Sequence, residues 1–262
     1  MNGRILEVVG LTMDFGGIRA LNNVDLDVKQ GEIVALIGPN GAGKTTFFNC
    51  ITGLYRPTKG DIFLYRQGSS RASLKGMKPN RVTEVGLART FQNIRLFPQM
   101  TVLENVMIGR HCRTSSTIFG ALVRNTSTRM EEDSIIESSH RMLVKIGLTQ
   151  YENEIAKNLP YGAQRRLEIA RALATEPELL LLDEPAAGMN PQETSELVNL
   201  IQSIAAEGQS ILLIEHDMKL VMNLSERIFV MDYGKKIAEG TPEQIRNNPT
   251  VIKAYLGEEV DA

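Results

Sequence analysis

The stretch from Leu159 to Asn190 constrains this chain more than any other. It reads L-P-Y-G-A-Q-R-R-L-E-I-A-R-A-L, then E-L-L-L-L-D-E-P, then A-A-G-M-N. A glycine-bearing turn opens an arginine-rich helix, and a short apolar strand follows that ends in Asp183-Glu184. Far upstream, Gly38 to Thr45 reads G-P-N-G-A-G-K-T, which matches the phosphate-cradling pattern G-x-x-x-x-G-K-[ST]. The phosphate loop alone says only that a nucleotide binds. Together the two segments describe an α/β nucleotide site with an acidic pair at a strand end.

Bulk properties narrow the surroundings of that site. The 262 residues are enough to bury a substantial core, and the formal net charge of -2 gives no electrostatic case for nucleic acid. Cys50 and Cys112 are the only cysteines, without C-x-x-C spacing, so neither a zinc site nor a disulfide framework is expected and a reducing compartment fits. The longest apolar runs, such as Leu179–Leu182 and Ile211–Ile214, have strand length, far below the ~20 residues of a spanning helix. The N-terminal M-N-G-R-I-L-E-V-V carries an acid where a signal peptide would be apolar. Any membrane role is expected to come through a partner.

Along the chain, Ile5–Val9, Val24–Val28 and Glu32–Ile37 read as strands, punctuated by Gly16-Gly17 and Gly31. A helix continues from Thr45 and is stopped by Gly53 and Pro57, and Asp61–Leu64 is a further short strand. From Met100 to about Asn158 the pattern turns helical: Thr101 and Glu104 form a capping box, and Ile135, Ile136, Met142, Leu143 and Ile146 recur at helical spacing. Alternation then returns, with helix 162–174, strand 179–183, helix 192–207 burying Leu197, Leu200, Ile201 and Ile204, and strand 211–214. Such alternation predicts a mostly parallel sheet with helices packed on it, the middle helical block being an insertion.

The chemistry follows from types and places. Gly38, Gly41 and Gly43 let backbone N–H groups approach phosphate, and the following helix offers its positive end. Pro39, Asn40, Ala42 and Thr46 complete the nucleotide-contacting stretch. Lys44 is expected to reach the β- and γ-phosphates, and Thr45 to offer its hydroxyl to Mg²⁺. Asp183, at the carboxyl end of a buried strand, is placed to hold Mg²⁺ through its water shell. Glu184 is the candidate general base for an attacking water. His216 follows a strand predicted beside that of Asp183, which puts its imidazole at the same edge and favours a γ-phosphate contact. Gln92, in R-T-F-Q-N before the helical block, has an amide able to reach Mg²⁺ or the attacking water. Phe15 in D-F-G-G either stacks an adenine, a contact worth ~1–3 kcal/mol in base-binding proteins, or packs in its turn.

The order of these elements resembles the nucleotide-binding subunit of ABC transporters over essentially the whole chain. The resemblance implies a P-loop ATPase with a RecA-like core, an antiparallel β subdomain and an inserted helical subdomain. Residues 1–262 then form one nucleotide-binding domain, with 5–92 and 160–240 as core and β subdomain, 93–159 as the helical insert and 241–262 as a helical tail. In that family two subunits face head to tail, and the phosphate loop of one and the signature turn of the other sandwich each ATP. Leu159–Ala163 becomes the signature turn, with Tyr161 and Gly162 toward nucleotide, and Ala187–Asn190 becomes the loop that crosses to the partner. Gln92 and His216 become γ-phosphate sensors. ATP or ADP and Mg²⁺ are the implied cofactors.

A finer resemblance, to the larger ATPase subunit of bacterial branched-chain amino acid importers, rests on six segments. They are F-G-G-I-R-A-L (Phe15–Leu21), A-R-T-F-Q-N-I-R-L-F (Ala88–Phe97), Y-G-A-Q-R-R-L-E-I-A-R-A-L (Tyr161–Leu173), D-E-P-A-A-G-M-N-P (Asp183–Pro191), I-E-H-D-M-K-L-V-M (Ile214–Met222) and the tail from Gly240 to Pro249 with A-Y-L-G-E. It implies a second ATPase subunit, identical or not, integral permease subunits, indirect contact with a solute-binding protein, no nucleic acid, and a peripheral position on the cytoplasmic face of the cell membrane. Importers of urea and amides share much of this pattern. A lipopolysaccharide-export ATPase has a similar tail, but P-A-A-G-M-N and L-P-Y-G weigh against it. A soluble ABC ATPase acting on nucleic acid or ribosomes would carry coiled coils, paired cassettes or basic extensions, none of which is present.

Two departures from the general signature L-S-G-G-Q stand out. Pro160 replaces Ser and Ala163 replaces the final Gln. A lost hydroxyl to a charged phosphate forgoes ~1.5–3 kcal/mol, while Gly162 and a helix dipole of ~0.3–1 kcal/mol remain, so weakened closure is expected. Asn190 stands where many relatives carry Asp. In the insert, Arg110–Arg129 holds four arginines, no acid and the apolar centre Ile118-Phe119 with Ala121-Leu122-Val123. It reads either as a docking surface for the permease or as a solvated loop.

Overall fold

The computed structural model of the chain describes residues 3–66, 71–110, 112 and 126–256. Strands β1 (Arg4–Phe15) and β2 (Ile18–Lys29) form an antiparallel hairpin closed by two glycines, of which Gly16 has φ +57°. Both strands run well past the expected Ile5–Val9 and Val24–Val28. The register shifts between Val8 and Leu11 and again between Leu11 and Asp14, and Gly10 and Asn23 sit at φ +60° and +54°. Such bulges break the two-residue alternation, so periodicity shows only part of each strand. Strands β4 (Lys59–Leu64) and β5 (Ala72–Ser73) extend this sheet in the order β2-β1-β4-β5.

The second sheet holds β3 (Ile33–Ile37), β6 (Leu87–Arg89), β7 (Leu179–Asp183), β8 (Ser210–Ile214), β9 (Arg227–Asp232) and β10 (Lys235–Gly240), ordered β10-β9-β3-β8-β7-β6. All neighbours pair in parallel except β9 with β10. Strand β3 begins at Ile33, not at Glu32. The Glu32 carboxylate instead accepts the Lys29 N–H at 2.8 Å and pairs with Arg227 at 2.8 Å.

Every residue of β3, β7 and β8 is buried, the signature of parallel strands covered on both faces. Their alternation divides two cores. Val34, Leu36, Leu179 and Leu181 face the antiparallel sheet and helix α1 (Lys44–Ile51). Ile33, Ala35, Ile37, Leu180 and Leu182 face the core shared with α6 (Pro191–Ala206) and α7 (Met218–Leu224). At about 1.5–3 kcal/mol for each fully buried aliphatic side chain, this double cover fixes the sheet that carries the site. Along α6, Leu197, Ile201 and Ile204 are buried, whereas Leu200 is only partly covered.

Between β5 and β6 lies α2 (Pro79–Val85). Helix α3 (Val102–Arg110) starts with the expected box: the Thr101 N–H donates to Glu104 at 2.7 Å and the Glu104 N–H to the Thr101 hydroxyl at 3.1 Å. Helix α4 (Thr126–Lys145) buries Leu143, and Ile146 just beyond it, but Ile136 is 43% exposed, so the apolar face is narrower than the spacing suggests. A third core joins α3 and α4 to one side of α5 (Tyr161–Leu173). Helices α8 (Pro242–Arg246) and α9 (Pro249–Leu256) end the described chain. Of the arginine-flanked stretch, Ile118, Phe119 and Ala121–Val123 lie outside the described residues.

Candidate nucleotide-binding site

The phosphate loop leaves β3, a central strand, and runs directly into α1. Gly43 caps the helix at φ +100° with no side-chain hydrogen bond, and the first turn holds no acid. The first amides of α1 are therefore open to an anion. A Cβ at Gly43 would lie 2.7 Å from the Ala20 carbonyl oxygen, and one at Gly38 2.1 Å from that of Met231, so both positions demand glycine by close approach. Gly41 is exposed with φ +82°, Asn40 and Thr45 are exposed, Pro39 and Thr46 are half-buried, and Ala42 is buried. The Lys44 ammonium donates to the Gly38 and Pro39 carbonyls at 2.6 and 3.0 Å. Burial lowers its pKa, with the Glu184 carboxylate opposing. The ammonium is thus held over its own loop, near an acid.

The acidic pair lies at the carboxyl end of β7, and β8 is the adjacent strand as expected. Asp183 is buried, and its Oδ2 accepts from Arg89 Nη2 at 2.6 Å, both side chains being 6% exposed. Arg89 also donates to Asn49 and Thr52 of the α1 segment at 2.7 and 3.3 Å, tying the metal-holding candidate to the helix behind the phosphate loop. Glu184 occupies φ +47°, a strained value for a residue with a side chain, while its N–H donates to the Ile214 carbonyl at 2.9 Å. Its Oε2 accepts from Gln92 Nε2 at 2.7 Å, and His216 Nδ1 stands 3.7 Å from the same oxygen. Gln92, Glu184 and His216 thus converge on one carboxylate. Glu215 buttresses the turn by accepting the Ala186 and His216 N–H groups at 3.0 and 3.1 Å.

The signature turn opens α5 with Pro160 as its N-cap, without a side-chain hydrogen bond. Ala163 is buried in the third core. Tyr161 is exposed, and its hydroxyl donates to the Ala187 carbonyl at 2.9 Å. A Cβ at Gly162 would lie 2.9 Å from Glu193 Oε1, so Tyr161 and Gly162 pack against Ala187 and the first turn of α6. Asn190 caps α6, accepting the Gln192 and Glu193 N–H groups at 3.0 Å each. An amide caps a helix as well as an acid does, which explains why Asn suffices there. Phe15, at the hairpin tip, is 41% exposed and meets Tyr55 edge-on at 5.2 Å.

Three residues escaped the sequence reading: Arg89, Arg165 and Glu168. All are buried charges. The only signals are an arginine closing an apolar strand and an i, i+3 opposite-charge pair on a helix, and both look like ordinary surface features in sequence. The C-terminal helix also comes close to the site: burial pushes the Tyr255 hydroxyl up, opposed by the Gly38 amide.

The chemistry of the donor set is that of a hard cation such as Mg²⁺. Thr45, Gln92 and Asp183 offer only oxygens, and among the described residues no group of three His, Cys, Asp or Glu forms a cage.

Comparison with known proteins agrees with this geometry. A family model described as ABC transporter matches residues 21–187. A second, described as branched-chain amino acid ATP-binding cassette transporter, matches residues 235–261. The chain is 51% identical over 259 residues to the high-affinity branched-chain amino acid transport ATP-binding protein LivG of Escherichia coli (strain K12), covering 98% of this chain and 100% of that one. It is 48% identical, over the same shares, to the protein BraF of Pseudomonas aeruginosa, described in the same words. Among solved structures, a nucleotide-free ATP-binding cassette from an ABC transporter superposes with TM-score 0.82 at 31% identity, over 97% of this chain and 100% of that one. The ADP conformation of an ATP-binding cassette gives 0.81 at 29%, over 97% and 99%. No described helix is long and apolar enough to cross a membrane. The chain belongs to the ABC transporter family, as an ATPase of the branch whose curated members are named for branched-chain amino acid transport.

Proposed function

We propose that the chain hydrolyses ATP to drive uptake of branched-chain amino acids through permease subunits, working as one of two cassettes at the cytoplasmic face of the membrane. The observation that carries the chemistry is the convergence of Gln92, His216 and the left-handed Glu184 beside the open end of α1. Lys44 leaves the Gly38 and Pro39 carbonyls for the β- and γ-phosphates, whose oxygens also take the N–H groups of Gly41 to Thr46. Thr45, Asp183 and Gln92 would hold Mg²⁺, which would supply neutralisation of the phosphate charge. Glu184 accepts a proton from the attacking water, and Gln92 holds its carboxylate in place until γ-phosphate draws the amide away. His216, at the same edge, donates to the γ-phosphate. Phe15 stacks the adenine at the hairpin tip.

A second subunit completes each site. A solved bacterial ABC transporter cassette, 25% identical with TM-score 0.74, is described as dimeric. In such a pair Tyr161 and Gly162 face the partner's nucleotide, and the loop 187–190 crosses the interface. The relatives' names support branched-chain amino acids as the solute. The test is reconstitution with the permease and solute-binding proteins of a branched-chain amino acid importer. Leucine-loaded binding protein should stimulate ATP hydrolysis and drive labelled leucine uptake. Stimulation by urea or amides alone would move the chain to another importer class.

A further inference from the structure

The loop that carries Gln92 has no regular secondary structure, yet its backbone is gripped from one side. Arg165, fully buried on α5, donates from Nη1 to the Phe91 carbonyl at 2.6 Å and from Nη2 to the Gln92 carbonyl at 2.8 Å. Glu168, one turn on, accepts the Arg95 N–H at 3.1 Å and the Phe91 N–H at 3.4 Å through Oε1. Its Oε2 receives Arg165 Nη1 at 3.0 Å. Four bonds to main-chain groups thus bracket Gln92 before and after its own position. None of them uses a loop side chain, so the pair specifies the path of the loop whatever sequence it carries.

The side chain of Gln92 is held elsewhere. Its amide bonds Glu184, and Glu184 is anchored in the parallel sheet through its N–H to Ile214. Gln92 is therefore fastened by its backbone to α5 and by its side chain to the end of β7. Any rotation of α5 against the sheet moves one attachment and not the other. About an ångström of such displacement carries a 2.7 Å bond out of hydrogen-bonding range unless the Gln92 side chain follows, so the orientation of α5 bears on how Gln92 engages Glu184.

We propose that Arg165 and Glu168 are positioning residues for ATP hydrolysis, transmitting movement of the signature helix to Gln92 and through it to Glu184. The inference rests on the reading of Gln92 and Glu184 given above. A buried pair kept only for stability can be replaced by apolar residues of similar size without loss. A positioning pair cannot, because the Phe91, Gln92 and Arg95 main-chain groups lose the partners that place Gln92.

The experiment compares wild type with Arg165→Met/Glu168→Leu and with Gln92→Ala, each in ATPase kinetics, and adds amide exchange for residues 90–96. The double variant should keep KM for ATP within about threefold, since Lys44 and the phosphate loop are untouched, while kcat falls about 10–100-fold. The Phe91 and Arg95 amides should exchange faster. Should the double variant fail to fold, Arg165→Lys carries the same test in kcat, since one ammonium replaces the two-pronged guanidinium on the Phe91 and Gln92 carbonyls. A folded variant of the pair with kcat within about twofold of wild type overturns the inference. If Gln92→Ala is slow while the pair variants are not, the clamp alone is wrong. If Gln92→Ala also runs at the wild-type rate, the reading of Gln92 falls, and the clamp with it.

Discussion

Replacing Arg89 by methionine should destabilise the protein severely, and the structure says by how much. The guanidinium meets Asp183 at 2.6 Å with both side chains 6% exposed, and it also satisfies Asn49 and Thr52. Phe48 and Phe91 flank it, their ring centroids 5.5 and 5.1 Å away. Methionine fills much of the volume but leaves a buried carboxylate unpaired, which costs about 3–5 kcal/mol. For a chain of this size, at about 2–4 °C per kcal/mol, that is a drop of roughly 6–20 °C in Tm. Asp183→Asn should cost less, because Arg89 keeps Asn49 and Thr52. The double replacement should cost clearly less than the sum, with a coupling of about 2 kcal/mol or more. Thermal melts followed by circular dichroism, with nucleotide and divalent ions removed, measure all four corners of the cycle. A loss below about 2 °C for Arg89→Met, or additive corners, would refute the buried pair.

Pro160→Ser, made in a Glu184→Gln background, should tighten ATP-dependent self-association in sedimentation velocity, because it returns a hydroxyl and an N–H to the turn; no change would mean that this turn does not limit closure. Lys44→Ala should abolish tight nucleotide binding, read by titration with a fluorescent ATP analogue, and retained affinity would remove the lysine from the phosphate site. Burial pushes the Glu215 carboxyl above its ordinary value of 4.5, with the Ala186 and His216 amides opposing. The folded state therefore holds that proton longer than the unfolded one, and stability from this group falls as pH rises from 4.5 through the raised value. Glu215→Gln lacks that fall, so its Tm should gain on wild type across the window; a constant difference would contradict the assignment.

The parts of the molecule most visible in sequence are those whose physics is local. The leucine run 179–182 and the glycine spacing of 38–43 are dictated by burial on two faces and by close backbone approach, and both leave their mark residue by residue. The Thr101–Glu104 box is equally local. The hairpin β1–β2 was half legible, because its bulges near Gly10 and Asn23 interrupt the alternation. Arg89, Arg165 and Glu168 were not legible at all. A charged residue is buried only when a distant segment brings its partner, here 94 residues away for Arg89 and 73 to 77 for the contacts of α5 with the Gln92 loop. The convergence of Gln92, Glu184 and His216 needed the family resemblance as well, since a lone glutamine or histidine carries no signal until its neighbours are placed.

The central claim is that Glu184 supplies the base for ATP hydrolysis at a site opened by α1 and held by β7. Its most direct test is steady-state phosphate release by Glu184→Gln and wild type, with ATP affinity measured on the same preparations. The account predicts that the variant binds ATP as wild type does and turns it over ~10²–10⁴-fold more slowly. Turnover within about twofold of wild type at unchanged affinity would contradict it.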